Sequence, residues 1–261
     1  NAARVKKTRE LFRISPKRAM RYYVDRADSP NCQIPIDQIR DELGNRWRSE
    51  QFYPGEDGNI WDTIPELEQA NREFLLSEMQ NKETFKYVIQ TRDITSAHGP
   101  DGIGYWALKL NSELGSEMMA KISQLIIRYN FMPTTWNMSK TILIYKRGNP
   151  EELKNWRPLT IASCLYRTWT CALARCLQRI NQTSKRLFDE SQKGFIQFKD
   201  GCIEHSNMIT ELIFDARRNR KDIYITTIDL KDAFGSIPHG YISLILHKMQ
   251  LPEEIISIIE D

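Results

Sequence analysis

Asp229 stands at the end of a β-branched run, residues 223–230, and a turn-forming sequence follows it. Such a run predicts a strand whose final carboxylate emerges at the edge of a sheet. Rigid carboxylates at strand ends can hold two Mg²⁺ ions about 4 Å apart and so support metal-dependent nucleotidyl transfer. One carboxylate is insufficient for this, and a lone aspartate at a strand end more often caps the next turn. On this residue alone both interpretations stay open.

Two basic residues flank a predicted turn in an arrangement that suits phosphate binding. Lys146 ends a short apolar run, residues 140–146, and Arg157 lies in residues 156–161, which predict the return strand. A lysine offers a point charge and an arginine a planar fork of donors, so the pair could bind a triphosphate. An ordinary exposed charge is the alternative for Lys146.

Two glycine-containing loops could approach a nucleic-acid strand closely, because glycine lets the backbone come near a ligand. The first comprises Gly99, Pro100, Asp101 and Gly102. The second comprises Gln192, Lys193, Gly194 and Phe195, in which the first two side chains can donate hydrogen bonds. Any tight turn could contain the first sequence, and Cys202, just after the second loop, is expected to pack in the core.

The first 26 residues carry nine basic side chains against two acidic ones. Short basic helices are predicted within residues 4–24, and the adjacent Tyr22 and Tyr23 could stack on bases. Such a segment could contact RNA phosphates, and a solvated helix face is the alternative. The candidate phosphate contacts are Arg13, Lys17, Arg18 and Arg21.

The sequence around Asp229, IYITTIDLKDAFGSIPH, resembles the first palm motif of reverse transcriptases. The resemblance implies that Asp229 binds Mg²⁺ and that the Leu230 carbonyl is a further metal ligand. It also implies that the backbone amides of Asp232 and Ala233 approach the triphosphate. Phe234 matches the steric gate, whose ring excludes a 2′-hydroxyl by its bulk and so favours deoxynucleotides.

Three further segments resemble the same family in the same order. Residues 140–157 are similar to the fingers hairpin, which implies that Lys146 and Arg157 bind the incoming nucleotide. Residues 99–103 match a template loop of non-LTR retrotransposon enzymes. Residues 192–196, followed by Asp-Gly-Cys and a glutamate, resemble the elements that insert at specific sites in ribosomal DNA. The first hundred residues occupy the position of an extension that grips the element's own RNA.

The resemblance implies a nuclear RNA-directed DNA polymerase that copies retrotransposon RNA by target-primed reverse transcription. Its partners would be the RNA template, a DNA primer at the target, and dNTPs, with Mg²⁺ as cofactor. The family places its remaining carboxylates in an aromatic-x-Asp-Asp hairpin, and no such sequence occurs before Asp261. The sequence therefore predicts a segment of a longer polymerase, inactive by itself. The alternatives are a non-catalytic RNA-binding module and a maturase-like or telomerase-like enzyme.

The expected fold class is α+β: a mostly helical N-terminal extension, then the fingers and partial palm of a right-hand polymerase. Boundaries are predicted at 1–64 for the basic extension, 65–200 for the fingers and 201–261 for the partial palm, with a linker near 54–64. Amphipathic periodicity predicts helices at 66–79, 108–129, 165–180, 203–218 and 242–249, and another from Pro252. Ser163 is the predicted cap of the third, whose Cys171 and Cys176 should pack inside.

Composition narrows the remaining possibilities. A net charge of +3, from 37 basic and 34 acidic residues, means that any nucleic-acid affinity depends on where the charges lie. Five cysteines, with no CxxC pair, argue against a disulfide-built secreted protein and favour a reducing compartment. No apolar run is long enough to predict a membrane span. Zinc-protease, Walker, dinucleotide and serine-hydrolase motifs do not occur.

Overall fold

The computed structural model describes residues 30–47, 63–183, 187–196, 199–229 and 235–261. The predicted basic helices, and with them Arg13, Lys17, Arg18 and Arg21, lie outside the described residues, as does the predicted linker up to residue 62. Leu230, Asp232, Ala233 and Phe234 lie outside them as well. The chain divides into two compact units, residues 1–45 with 141–160, and residues 46–140 with 161–261.

The first unit combines a helix with a β-hairpin. Helix α1 (Ile36–Trp47) runs through Gly44, and the hairpin consists of β1 (Ser139–Tyr145) and β2 (Trp156–Ala162), with a 3₁₀ turn at Leu153–Asn155. The hairpin confirms the predicted strand pair. Helix α1 was not predicted, because the prolines and glycines of residues 32–65 interrupt the helical periodicity. A small core of Ile34, Leu43, Leu153 and Trp156 holds this unit together.

The second unit is helical, and its elements are α2 (Gln69–Glu78), α3 (Lys82–Thr91), α4 (Tyr105–Leu110), α5 (Ser112–Tyr129), α6 (Thr134–Asn137) and α7 (Cys164–Thr183). The single helix predicted over 108–129 is in fact α4 and α5. Asn111 separates them, because its side chain accepts a hydrogen bond from the Leu114 amide and so caps α5. Helix α3, capped by Asn81, was not predicted.

Helix α7 confirms the strongest helical prediction, and it packs with α3 and α5 around a common core. Phe85, Ile89, Met119 and Trp169 are fully or almost fully buried there. Trp169 Nε1 donates a 2.9 Å hydrogen bond to Ser123 Oγ, which satisfies two buried polar groups at once. This core fixes the position of the N-terminal end of α7.

Three helices follow α7: α8 (Gly201–Arg218), α9 (His239–Lys248) and α10 (Glu253–Glu260). All three confirm predictions. Ile255, Ile256 and Ile258 of α10 enter the main core, whereas α8 buries only Ala216.

The prediction of a strand over residues 223–230 is wrong for its described part, because residues 223–229 form neither helix nor strand. A strand is defined by a hydrogen-bonded neighbour as well as by its own sequence, and among the described residues the sheet contains only β1 and β2. The mixed helices and hairpin confirm the α+β class. Within the described ranges no helix has the length and apolarity of a membrane span.

Candidate nucleic-acid interface

The register of the β-hairpin places its two predicted phosphate-binding residues on one face. The Lys146 amide donates a 2.8 Å hydrogen bond to the Asn155 carbonyl, and the Thr141 and Thr160 hydroxyls meet at 3.1 Å. These pairs define an antiparallel register in which Ile144 lies opposite Arg157. Since side chains alternate along a strand, Lys146 and Arg157 lie on the same face, diagonal to each other.

The opposite face of the hairpin packs into the small core of the first unit. Tyr145 and Trp156 contact each other there, with ring centroids 5.2 Å apart, and Trp156 is buried. Trp156 Nε1 also donates to the Pro150 carbonyl at 2.8 Å. The turn is closed by Gly148, at φ +96°, where a side chain would meet that of Asn155 at 2.9 Å. Lys146 and Arg157 are therefore carried by a fixed backbone.

The charges on this face are available to a ligand. Lys146 and Arg157 are both exposed, and neither forms an ion pair with another described residue. The nearby Glu152 is occupied, because Lys154 lies 2.9 Å away and the hydrogen bond between them lowers the pKa of Glu152. Arg147 in the turn is a third exposed cation, which the motif comparison had not singled out. The hairpin tip therefore presents three exposed cations, Lys146, Arg147 and Arg157, to solvent.

Asp229 lies in the exposed segment 221–229 of the second unit. The described residues contain no group of three histidine, cysteine, aspartate or glutamate side chains that could hold a metal ion. A single carboxylate does not fit a two-metal centre. Of the residues predicted to bind the metal, Asp229 is the one that the structure describes, since Leu230 lies outside the described ranges.

The loop containing Gly99, Pro100, Asp101 and Gly102 is fixed against the start of α7. One oxygen of Asp101 accepts a hydrogen bond from buried Ser163 at 2.6 Å, and the other accepts from the Ile103 amide at 3.1 Å. A side chain at Gly99 would lie 2.6 Å from the Ser163 amide nitrogen, so only glycine permits this approach. Gly102 adopts φ +71°, which also favours glycine.

A second set of contacts holds the residues just before this loop. The Ala97 carbonyl accepts a hydrogen bond from the Arg167 guanidinium, which also lies over the Tyr105 ring at 5.2 Å. Ser163 Oγ accepts from the Leu165 amide at 3.1 Å, which confirms it as the cap of α7. Sequence reasoning missed the pairing of Ser163 with Asp101, because 62 residues separate them. The Asp101 carboxylate thus positions the loop from within the chain.

The loop at Gln192–Phe195 lies beside the start of α8. Asp200 caps that helix by accepting from the Ile203 amide at 3.2 Å, and a side chain at Gly201 would lie 2.3 Å from Lys193 Cβ. Lys193 forms a 2.9 Å ion pair with Glu204, and their hydrogen bond lowers the pKa of that carboxyl. Gln192 Nε2 donates to the Gly194 carbonyl at 3.0 Å. Both predicted donors therefore have partners within the chain.

A large open cavity lies between this loop and α8. Its volume is about 1020 Å³, and its lining includes three basic side chains, those of Lys193, Lys199 and His205. Phe195 borders it with 85% of its surface exposed. Cys202 is exposed, so its predicted place in the core is wrong, whereas Cys176 on α7 is buried as predicted. The lining also includes Asp200, and Lys193 is already paired with Glu204, so the cavity carries charges of both signs.

Residues 144–260, a little under half of the chain, match the family of reverse transcriptases (RNA-dependent DNA polymerases). The chain is 30% identical over 158 residues to the Pol polyprotein of the type-1 retrotransposable element R2 of Popillia japonica, covering 60% of this chain and 21% of that protein. The corresponding R2 protein of Nasonia vitripennis is 32% identical over 160 residues, 61% of this chain and 15% of that protein.

A probable RNA-directed DNA polymerase from transposon BS of Drosophila melanogaster is also similar, with 29% identity over 157 residues, 59% of this chain and 17% of that protein. The chain spans less than a quarter of the length of these curated relatives. The matched region begins near the end of β1 and contains Lys146, β2, the loop at 192–195 and Asp229.

Proposed function

Because residues 144–260 match the family of reverse transcriptases, we propose that this chain supplies the fingers and the first palm segment of an RNA-directed DNA polymerase. The observation that carries the proposal is the hairpin register, which puts Lys146 and Arg157 on one exposed face, diagonal to each other, within the matched region. In this proposal the polymerase copies retrotransposon RNA by target-primed synthesis. Similarity to R2 Pol polyproteins supports that finer assignment.

The substrate of the hairpin is a deoxynucleoside triphosphate. The Lys146 ammonium binds as a point charge, and the Arg157 guanidinium binds two oxygens of one phosphate at once. The Trp156 side of the hairpin is packed, so both cations are held on an ordered strand pair rather than on a free loop. Holding the triphosphate before reaction lowers the entropic cost of bringing it to the primer end.

Membership of the family implies a general dependence on a divalent metal, and we propose Mg²⁺ because oxygen ligands suit it. Asp229 and the Leu230 carbonyl would hold it, and when bound it would activate the primer hydroxyl and neutralise triphosphate charge. Asp232 and Ala233 would donate backbone hydrogen bonds to the triphosphate. Phe234 would exclude ribonucleotides.

Contacts with the template and target complete the proposal. The loops at Gly99–Gly102 and Gln192–Phe195 would lie along the RNA template, and Arg13, Lys17, Arg18 and Arg21 would grip the element's RNA. The DNA primer would be the nicked target, which places the protein in the nucleus. The functional division into an extension at 1–64, fingers at 65–200 and a partial palm at 201–261 belongs to the same proposal.

The nucleotide role is tested by titrating the chain with a fluorescent dNTP in the presence of Mg²⁺. Lys146→Ala and Arg157→Ala should each weaken binding about tenfold, as expected for loss of one charge-assisted contact. Lys154→Ala is the matched control, since this exposed lysine is in the same hairpin but is paired with Glu152. Equal loss of binding in all three variants would mean that the hairpin attracts the nucleotide only through its overall positive charge and has no specific site at Lys146 and Arg157.

A second candidate is a non-catalytic RNA-binding module, which is favoured because the described residues contain no group of three side chains that could hold a metal ion. Primer extension on an RNA template separates the two. We expect the 261-residue chain to bind primed template without extending it, and a longer polymerase containing it to extend. If the longer protein binds RNA but incorporates no nucleotide, the binding module is the better description.

A further inference from the structure

Four cations stand within five residues at the C-terminal end of α8. They are Arg217, Arg218, Arg220 and Lys221, and all four are exposed. None of them forms an ion pair with another residue in the part of the chain that the structure describes. Two carboxylates flank them: Asp215 accepts a 2.8 Å hydrogen bond from Asn219, and Asp222 is exposed. Residues 215–222 therefore carry four positive charges against two negative ones.

The backbone at this end of α8 forms a cap that places an arginine in an unfavourable conformation. The Lys221 amide donates a 2.9 Å hydrogen bond to the Ala216 carbonyl, and the Arg220 amide donates to the Arg217 carbonyl at 3.3 Å. These two bonds are the Schellman pattern, which requires a left-handed residue just past the helix. Arg220 is that residue, with φ +50°. Glycine is usual there because it has no Cβ to clash, so arginine is held where glycine would be more stable.

Helix α9 ends in the same kind of cap and shows what normally holds it. There the Leu251 amide donates to the Leu246 carbonyl at 3.2 Å, and Gln250 is the left-handed residue, at φ +54°. Leu251 is buried in the main core, which anchors the cap of α9. The residue at the same place in the cap of α8 is the exposed Lys221. Packing therefore explains the residues that end α9 but not the cations that end α8.

The helix dipole accounts for only part of this charge. Its negative end modestly favours a cation in the last turn, and α9 has Lys248 there. In α8, Arg217 and Arg218 stand in the last turn, and two more cations follow beyond its final residue. Like charges this close repel one another. A polyanion that contacts all four side chains would relieve the repulsion.

We propose that these four cations, here called the α8 basic cluster, bind the phosphate backbone of a duplex nucleic acid. A duplex carries one charge per about 1.7 Å of its axis, twice the density of one strand, and so suits a compact group of cations. Sites for single strands combine cations with stacking aromatic residues, and residues 217–221 contain no aromatic residue.

The α8 basic cluster is separate from the contacts of the proposed function. The 18 residues of α8 span about 27 Å, and the loop at 192–195 lies beside the opposite end of the helix. The dNTP contacts proposed for the hairpin belong to the first unit, whereas α8 belongs to the second. The inference therefore adds a duplex-binding surface that the proposed function does not include.

The test is an anisotropy titration of the 261-residue chain with labelled duplex DNA, duplex RNA and the single strand of each, over a salt series. The variants are Arg217→Gln with Arg218→Gln, and Arg220→Gly. Lys248→Gln is the matched control, because Lys248 is exposed and precedes the C-cap of α9 as Arg218 precedes that of α8. Thermal melting checks that each variant folds.

The double arginine variant should reduce the steepness of log affinity against log salt by about 1.8, since each lost contact with a duplex phosphate contributes about 0.9. Arg220→Gly should reduce it by about 0.9 and yet raise the melting temperature by about 2 °C, because glycine relieves the left-handed strain. The control should keep the slope of the unaltered chain. Weaker binding by a variant that melts at a higher temperature excludes damage to the fold as its cause.

A preference for duplex DNA identifies a DNA target as the bound duplex, and a preference for duplex RNA identifies a folded part of an RNA; either supports the α8 basic cluster. Unchanged slopes in the folded variants, or no duplex binding by the unaltered chain, overturn the inference. Neither result bears on the proposed function, which is tested by dNTP binding in Lys146→Ala and Arg157→Ala. The cluster variants should bind dNTP as the unaltered chain does.

Two other outcomes also overturn the inference. Tighter binding of the single strand than of the duplex, lost in Tyr224→Ala, would mean that the cluster works with this exposed aromatic residue to hold an unpaired strand. Competition by polyglutamate that equals competition by the unlabelled duplex would make the α8 basic cluster a surface for an acidic protein.

Discussion

Asp101 and Asp229 both lie in segments whose sequences resemble reverse transcriptase motifs, yet their surroundings in the second unit differ. Both oxygens of Asp101 accept hydrogen bonds, and Gly99 beside it is in close contact with the backbone at Ser163. Asp229 is exposed on a segment without helix or strand structure. A loop can be fixed by a few local contacts and one helix terminus, whereas a catalytic strand is fixed only by neighbouring strands. The loop at Gly99–Gly102 is therefore more completely organised than the segment that carries Asp229.

The sharpest test of this contrast is the replacement Asp229→Asn. In a longer polymerase that contains this chain, DNA synthesis should fall below detection, because the amide no longer provides the anionic metal ligand. The melting temperature of the 261-residue chain should not change, since exposed substitutions cost little. Asp222→Asn, an exposed neighbour on the same segment, is the control for primer-extension assays. Normal DNA synthesis by the Asp229→Asn variant would show that Asp229 is not a metal ligand.

Amide hydrogen-exchange rates should differ by several orders of magnitude between the segment at 223–229 and the core helices α3 and α7. The amides of residues 223–229 should exchange at nearly the unprotected rate, because no described strand pairs with them. Amides around Phe85 in α3 and Trp169 in α7 should be protected up to the free energy of global unfolding, since both side chains are fully buried. Peptide-resolved mass spectrometry measures both. Slow exchange at 223–229 would indicate that the segment is paired in solution.

Thiol labelling compares the reactivity of a buried cysteine on α7, Cys176, with that of an exposed cysteine on α8, Cys202. Burial raises the pKa of Cys176 from 9.0 to about 12, so it is almost entirely protonated at pH 8, whereas Cys202 is exposed. Iodoacetamide should modify Cys202 at least a hundredfold faster, because the thiolate is the reactive form. Since the folded pKa is the higher one, the stabilising contribution of the buried thiol is complete below pH 9 and is lost between pH 9 and 12.

Peptide mapping with and without urea measures the two labelling rates. Equal rates for Cys176 in folded and unfolded chain would show that the core around α7 opens readily, and would weaken the contrast between the two regions.

The smallest expected effect concerns the hydrogen bond that holds the loop at Gly99–Gly102. Ser163→Ala should lower the free energy of unfolding by about 1–3 kcal/mol, because it removes a charge-assisted hydrogen bond from a buried hydroxyl to Asp101. Urea denaturation measures the change. A double-mutant cycle with Asp101→Ala isolates the pairwise contribution. Additive effects of the two replacements would mean that the loop is held by Gly99 and Arg167 instead.

The elements predicted correctly are those whose signal is contained in their own sequence. The hairpin has β-branched runs around a turn, and α7 has a long apolar stripe behind the Ser163 cap. The division of α4 from α5 depends on one side-chain cap at Asn111, which periodicity alone does not reveal. The strand predicted at 223–230 shows the opposite error, because β-branching is local but strand pairing is not.

The candidate site was predictable to a similar extent. Motif order singled out Lys146, Arg157 and Asp229, and the hairpin register adds that the first two share a face. The partner of Asp101 and the stacking of Arg175 on Tyr87 could not be predicted, because each joins residues far apart in sequence. Such contacts depend on how the helices pack, and a single sequence contains no direct signal for that packing.

The hairpin register also implies how this region tolerates changes in length. Some length changes in the turn between Tyr145 and Trp156 are absorbed by the turn, and others shift one strand against the other by a single position. Such a shift turns every side chain of that strand to the opposite face of the hairpin. Lys146 and Arg157 would then lie on different faces, and one of them would point to the side on which Trp156 is now buried. Turn-length variants that change the count by two keep both cations together. Among insertions and deletions, evolution of this hairpin should therefore favour even steps.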